Sequence, residues 1–249
     1  MNKCNLLLVI FLFCFHAVTQ AVEFEAKLDW IEHQKYGFYV NGIVDEVSVE
    51  VGKKLKQGDA LAKLISAPFN YEIKHCRARV DGFDAPVFDA KIELDQAEEL
   101  FERTVLSEVE LQKIEGKYKS LVERQKEAMA ECQLRNWQKK VSRLVAHDSV
   151  YVISSNITPG MVISDENKSD VGIELVSAKQ AAAIAWLNYK QKSQLNLGYE
   201  LKVIVDQQEF SAKINSISLT PNNENKYKLV ANFFYTKMVE PGKVIKVRY

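Results

Sequence analysis

Charge of one sign is not in excess in this sequence: 33 Lys and Arg face 33 Asp and Glu over 249 residues. Without a basic footprint the chain is not built to hold nucleic acid. Four cysteines are too few for a disulfide-built scaffold, and five prolines with ten glycines are too few for a low-complexity or collagen-like chain. No Gly-x-Ser-x-Gly, phosphate loop or paired catalytic carboxylates occur, and His33, His75 and His147 stand apart from any Cys or carboxylate at ligand spacing. No catalytic residues, no metal site and no resident cofactor are therefore expected. No apolar run reaches the ~20 residues that a membrane-crossing helix needs. What is present, 47% hydrophobic and 27% charged residues, suffices for a buried core and is too apolar for disorder.

The longest apolar run comes first. Lys3 precedes an unbroken apolar stretch over residues 6–15, and residues 17–21 read Ala-Val-Thr-Gln-Ala, ending small. A positive start, a short apolar run and a small-residue end read as a secretory signal peptide over residues 1–21, cut after Ala21. Retention as an anchor is the alternative, weakened by a run roughly half the ~20 residues needed to span. Phe13 before Cys14 is too bulky for a lipid-attachment site. The mature product is expected outside the cytoplasm, soluble or peripherally attached.

Beyond residue 22 the hydrophobic period changes three times. Val47, Val49 and Val51 alternate with Glu46, Ser48 and Glu50, the period of a half-buried strand, and Gly42, Gly52 and Gly58 mark turns. From Val87 the period becomes helical. Asp84-Ala85-Pro86 supplies a start, and Val87, Ala90, Leu94, Ala97 and Phe101 follow at three-four spacing. Ser107 with Glu110 forms a capping box that opens a second helix. Only residues 105–107 are left for the turn, which forces an antiparallel pair. On the second helix Leu111, Ile114, Tyr118, Leu121, Gln125 and Ala128 form a seam, which is expected to slip and restart as Ala130, Leu134, Trp137 and Val141. Gly82 and Pro86 are expected to interrupt anything upstream, leaving a lopsided hairpin with a first helix about half as long as the second. After Leu144 short strands return, separated by turn signals such as Asp206-Gln207, Pro221-Asn222-Asn223 and Pro241-Gly242, in the manner of a small β-barrel.

Cys76 and Cys132 are the only thiols left once residues 1–21 are removed, in a compartment that oxidises thiols. If the chain reverses near residue 106, the position opposite 132 is about 80, within a helical turn of Cys76. A disulfide at the base of the hairpin is one reading. Two buried, unpaired thiols are the other.

Residues 42–64, with Gly42-Ile43-Val44-Asp45-Glu46-Val47-Ser48-Val49-Glu50-Val51-Gly52, resemble the first half of a lipoyl/biotinyl-type module. Residues 147–163, with Val150-Tyr151-Val152 and Pro159-Gly160-Met161-Val162, resemble its second half, and residues 198–247 resemble a β-barrel after it. The order of half-module, helical hairpin, half-module and barrel is similar to the periplasmic adaptor subunits (membrane fusion proteins, HlyD-like) of tripartite efflux and secretion systems. The resemblance implies a mostly β, elongated protein: an N-terminal strand and first half-module over 22–68, the inserted coiled-coil hairpin over 69–144, the second half-module over 145–178 and the barrel over 179–249. Residues 23–36 are a candidate extra barrel strand.

The family implies a non-enzymatic periplasmic connector between an inner-membrane transporter and an outer-membrane TolC-like channel, working as a homo-oligomer. A stand-alone periplasmic scaffolding or binding protein that reuses the fold is the alternative. The family's channel contact uses an Arg, a Leu and a Ser near the hairpin turn. Arg103, Leu106 and Ser107 are the corresponding types here, more tightly spaced than the family pattern. Outside that role Arg103 is a solvated charge and Ser107 a helix cap. Many relatives continue into a membrane-proximal domain after the barrel; with this sequence ending at Tyr249, transporter contact is expected through the barrel and the lipoyl-like module. True lipoyl or biotinyl carriers modify a lysine on the turn that the hairpin replaces here, so Lys63 and Lys74 read as solvated strand-edge lysines rather than carriers.

Overall fold

The computed structural model describes residues 23–249, so the signal-type segment at 1–21 lies outside the described residues. Two compact units form, one of residues 34–175 and the other of residues 23–33 with 176–249.

The first unit is a β-sandwich built from both sides of a helical insertion. Strands β2 (Gln34–Tyr36), β9 (Ile173–Ser177), β7 (Val150–Ser155) and β4 (Lys54–Leu55) form one sheet in that order. Strands β6 (Arg143–Val145), β5 (Ala60–Leu64), β3 (Gly42–Val47) and β8 (Val162–Ile163) form the other. The halves interleave. Early strands β3, β4 and β5 pair antiparallel with later strands β8, β7 and β6. Leu61, Leu64, Val44, Val152, Ile163 and Leu175 meet in one core at no more than 1% exposure, so neither half has a buried face without the other.

The helical insertion grows out of a strand pair. β5 and β6 are neighbours with Lys63 opposite Arg143, and the chain leaves β5 into α1 (Ala67–Asp81) and returns to β6 from α3 (Glu108–Val141). Antiparallel strands thus hand their register to antiparallel helices. Between them lies α2 (Asp84–Glu102), which begins where the sequence signals a start. The upstream interruption is milder than expected. Pro86 has no N–H to give to the Gly82 carbonyl, which breaks the ladder, but Gly82 and Phe83 keep right-handed helical angles, and the Phe83 amide reaches the Val80 carbonyl at 3.0 Å. The outgoing arm is therefore α1 followed by α2, of 15 and 19 residues, against 34 in α3. The hairpin is balanced rather than lopsided, with arms of about 50 Å at 1.5 Å per residue.

The seam also differs from its sequence reading. It does not slip: Ala128 and Cys132 are buried, Arg135 and Gln138 continue at half burial, and Leu134 and Trp137 are each 49% exposed on the outer face. A disulfide joins Cys76 to Cys132 with Cα atoms 5.3 Å apart. Around it Arg135 pairs with Glu72 at 2.8 Å, and Arg79 pairs with Glu131. Covalent and ionic links take the inner positions near the base, and the larger apolar side chains are left outside.

The second unit is a closed six-stranded antiparallel barrel, ordered β1 (Glu23–Trp30), β10 (Gln180–Leu187), β13 (Tyr227–Phe234), β12 (Gln208–Ile217), β11 (Glu200–Val205) and β14 (Val244–Arg248). β1 closes it by pairing with both β10 and β14, whereas β2 joins the sandwich, so the stretch 23–36 divides between the units. Ala181, Ala183 and Ala185 point inward from β10 at 1% exposure or less, because so narrow a barrel cannot hold large side chains from every strand. Phe210, Phe233 and Tyr235 supply the bulk as a cluster with ring centroids 5.5–5.7 Å apart.

Candidate functional site

The end of the helical hairpin is built by two different caps. α2 stops without glycine: Thr104 adopts φ 59°, its amide donates to the Phe101 carbonyl at 2.8 Å, and the Val105 amide donates to Leu100 at 3.0 Å. This bond pair is a Schellman closure with threonine in the left-handed position usually given to glycine. α3 starts with the anticipated capping box. Ser107 Oγ accepts from the Glu110 amide at 3.3 Å, and the Ser107 amide donates to Glu110 Oε2 at 3.2 Å.

The Ser107 hydroxyl donates to Glu110 Oε2 at 2.7 Å as well. That hydroxyl, followed by the Ser107 amide, holds the Glu110 carboxyl below the ordinary glutamate value. Ser107 therefore works as a cap, on an exposed part of the turn. Arg103 caps α2 with an exposed side chain paired to Glu99 one turn earlier. Leu106 is half-buried. The structure thus brings Arg103, Leu106 and Ser107 to one turn and adds two residues that sequence reading passed over. Val105 and Val109 stand 71% and 76% exposed beside them. Neither valine fits a helical seam, and that misfit was the available signal.

The two candidate lysines have structural surroundings. Lys63 Nζ lies 2.8 Å from Glu46 and 3.4 Å from Asp45, and Lys74 is exposed on α1, not on a strand edge. Among the described residues no group of three or more His, Cys, Asp or Glu is placed to hold a metal ion. Also among them, no helix is long and apolar enough to cross a membrane.

No protein-family model and no curated protein matches the sequence. Solved structures do match the fold. The membrane fusion protein Spr0693 from Streptococcus pneumoniae R6 superimposes with a TM-score of 0.66 at 19% identity, over 91% of this chain and 97% of that one. MacA from Actinobacillus actinomycetemcomitans gives a TM-score of 0.69 at 15% identity, over 92% and 78%. A MacA-MexA chimera carrying the α-hairpin domain of Pseudomonas aeruginosa MexA gives 0.61 at 13% identity, over 92% and 78%. The chain has the fold of the membrane fusion proteins: a sandwich split by a helical hairpin, and a small barrel.

Proposed function

We propose that the protein is a periplasmic adaptor, a non-enzymatic connector that links an inner-membrane transporter to an outer-membrane channel for efflux or secretion. The observation that carries this reading is the route of the chain through its first unit. Two half-modules close one sandwich, and from its β5–β6 edge a braced pair of antiparallel helices runs out to a tip that exposes Val105 and Val109 beside Arg103. Such an arm carries a small contact surface tens of ångströms from its base without a large core of its own, with adjoining helices bracing each other. The tip is the channel contact. Arg103 supplies a charge that the partner can pair, and the two valines supply apolar area that a soluble tip has no structural use for.

The barrel and the sandwich serve as the transporter side. Copies of the chain associate through the outer faces of the hairpin, where Leu134 and Trp137 present apolar surface. Residues 1–21 act as the export signal. The test is an export assay in the native host. Arg103→Asp is expected to abolish export while circular dichroism and the melting temperature of the purified protein stay unchanged, because the side chain is exposed and its i,i+4 pair contributes only about 0.3–0.5 kcal/mol. Unchanged export would remove the tip from the reading.

A further inference from the structure

We infer that the first unit holds a binding site for a soluble amphipathic organic anion, a carboxylate or sulfonate on an apolar body, in the cleft at the root of the helical hairpin. The cleft has a volume of about 530 Å³ and lies between residues 34–39 on one side and the end of α3 with β6 and His147 on the other. That volume falls within the ~300–1,000 Å³ of small-molecule sites.

Its walls are apolar in their lower part. Leu144 is buried at the floor, and Val141 and Tyr36 are half-buried against the sandwich core. Tyr36 is held in place: its ring lies 5.5 Å from the His147 ring at 34°, and its hydroxyl donates to Gln34 at 3.0 Å. Burial raises its pKa, so it stays a neutral wall. Tyr39, at 75% exposure, offers a free ring at the rim.

The charged side chains that line the cleft are of one sign, although the carboxylate of Asp148, next to His147 and outside the lining, acts on Tyr36. Lys35, Lys140 and Arg143 line the cleft, and no carboxylate does. Lys35 is occupied, donating to the Ser169 and Asp170 carbonyls at 2.9 Å each. Its stem packs over Gly172, where a Cβ would approach to 2.8 Å, so this wall is fixed too. Lys140 and Arg143 form no ion pair among the described residues. Glu46, which feels the charge of Arg143, is already engaged by Lys63 at 2.8 Å. Two cations beside an apolar floor, neither in an ion pair of its own although Arg143 lies within electrostatic reach of Glu46, complement a molecule that is anionic at one end and apolar at the other. A cationic amphiphile meets the like charges of Lys140 and Arg143 and has only the Tyr36 and Tyr39 rings to face, and a bare inorganic anion leaves the floor uncovered.

This inference goes beyond the adaptor reading and does not depend on it, because it is measured on the isolated chain. Titration calorimetry of the purified full chain with decanoate, below its micellar concentration, is expected to give one saturable site. The cationic analogue decyltrimethylammonium is expected to give none. Lys140→Glu together with Arg143→Glu is expected to weaken decanoate by about tenfold or more, the scale of a lost charge-assisted contact. The neutral pair Lys140→Gln with Arg143→Gln repeats the measurement if the double reversal unfolds, and Lys140→Arg with Arg143→Lys should retain more binding than that neutral pair, since both charges stay while the donor geometry changes. Equal binding of both amphiphiles, or unchanged decanoate affinity in a folded charge-reversed protein, overturns the proposal. So does co-sedimentation with phosphatidylglycerol vesicles without decanoate binding, which would make the cations a membrane-facing patch. Loss of export in cells with decanoate binding intact would bear on the adaptor reading alone.

Discussion

At the scale of single residues, backbone conformation is set against side-chain identity in two turns. Thr104 takes the left-handed position that closes α2, and Asp206 and Gln207, at φ 49° and 66°, form the two-residue turn between β11 and β12. Positive φ at both central positions is the type I′ geometry that suits the twist of paired strands. Each non-glycine residue held there carries strain of about 1 kcal/mol. Thr104→Gly is therefore expected to raise stability by about 1 kcal/mol in urea denaturation, offset in part by the added freedom of the unfolded chain. A loss of stability would show that the Thr104 side chain contributes more than its backbone costs. The opposite cap sets a pH dependence. Glu110 has a lowered pKa in the folded state, so its contribution is present above the ordinary glutamate value and is lost as pH falls through the lowered one. Ser107→Ala removes the hydroxyl that contributes most to that shift. The difference in melting temperature between wild type and variant should narrow on acidification through this window, and a difference constant with pH would contradict the assignment.

At the scale of elements, the sequence was legible where apolar spacing alone decides the structure. The α2 start at Asp84 and the capping box at Ser107 are local patterns, whereas the alternation of Val47, Val49 and Val51 outruns its strand: β3 ends at Val47, and Val51 is 65% exposed in the turn at Gly52. It misled where another interaction outcompeted hydrophobicity. Near the base of α3, Leu134 and Trp137 look like seam residues, yet Cys132 and Arg135 hold those positions because each has a specific partner on α1. A pattern read on one helix cannot reveal a partner on another. The continuation of the first arm through Gly82 was equally hidden, since packing against α3 supports right-handed angles that a glycine and a nearby proline would not adopt alone. The tip residues Arg103, Leu106 and Ser107 could be placed at the turn from the cap signal, and so could Val105; the exposure of Val105 and Val109 was signalled only by their misfit to the helical seam. Because the cross-link spans 56 residues, it removes considerable freedom from the unfolded chain. The chain-entropy relation gives about 4 kcal/mol for a loop of that size. Reduction, or Cys76→Ser with Cys132→Ser, is therefore expected to destabilise the first unit by up to about 4 kcal/mol and to lower amide-exchange protection in α1 first. Equal protection with and without reductant would mean that the ion pairs and Ile73 suffice to hold the base of the arm.

At the scale of the whole molecule, what the hairpin leaves exposed bears on how copies meet. Trp137 lies five residues after Cys132 and Tyr71 five before Cys76, and five residues carry a side chain about 140° around its helix from the disulfide. The two aromatic residues therefore stand on the outer faces of opposite arms. Because the disulfide and the Glu72–Arg135 pair fix the register, they also stand at the same height. Trp137 is 49% and Tyr71 68% exposed. In the association proposed above, two different patches on opposite edges at one level would serve as the two sides of a head-to-tail contact, which closes into a ring when the rotation between neighbours allows it. A two-fold dimer would instead need one self-complementary patch. Trp137→Lys replaces the larger anchor with a charge that has no partner on a tyrosine face other than a weak cation–π contact. Sedimentation velocity is expected to show concentration-dependent association of the wild-type chain, and dissociation to monomer for Trp137→Lys at the same concentrations, with unchanged melting. Tyr71→Lys should give the same result, and mixing the two variants should restore only dimers, since each retains one intact edge. Larger assemblies in the mixture, or wild-type behaviour in either single variant, would rule out these edges as the contact. The mixed-variant result separates this geometry from a symmetric dimer, because a self-complementary patch damaged in one partner cannot be rescued by an intact patch on the opposite arm.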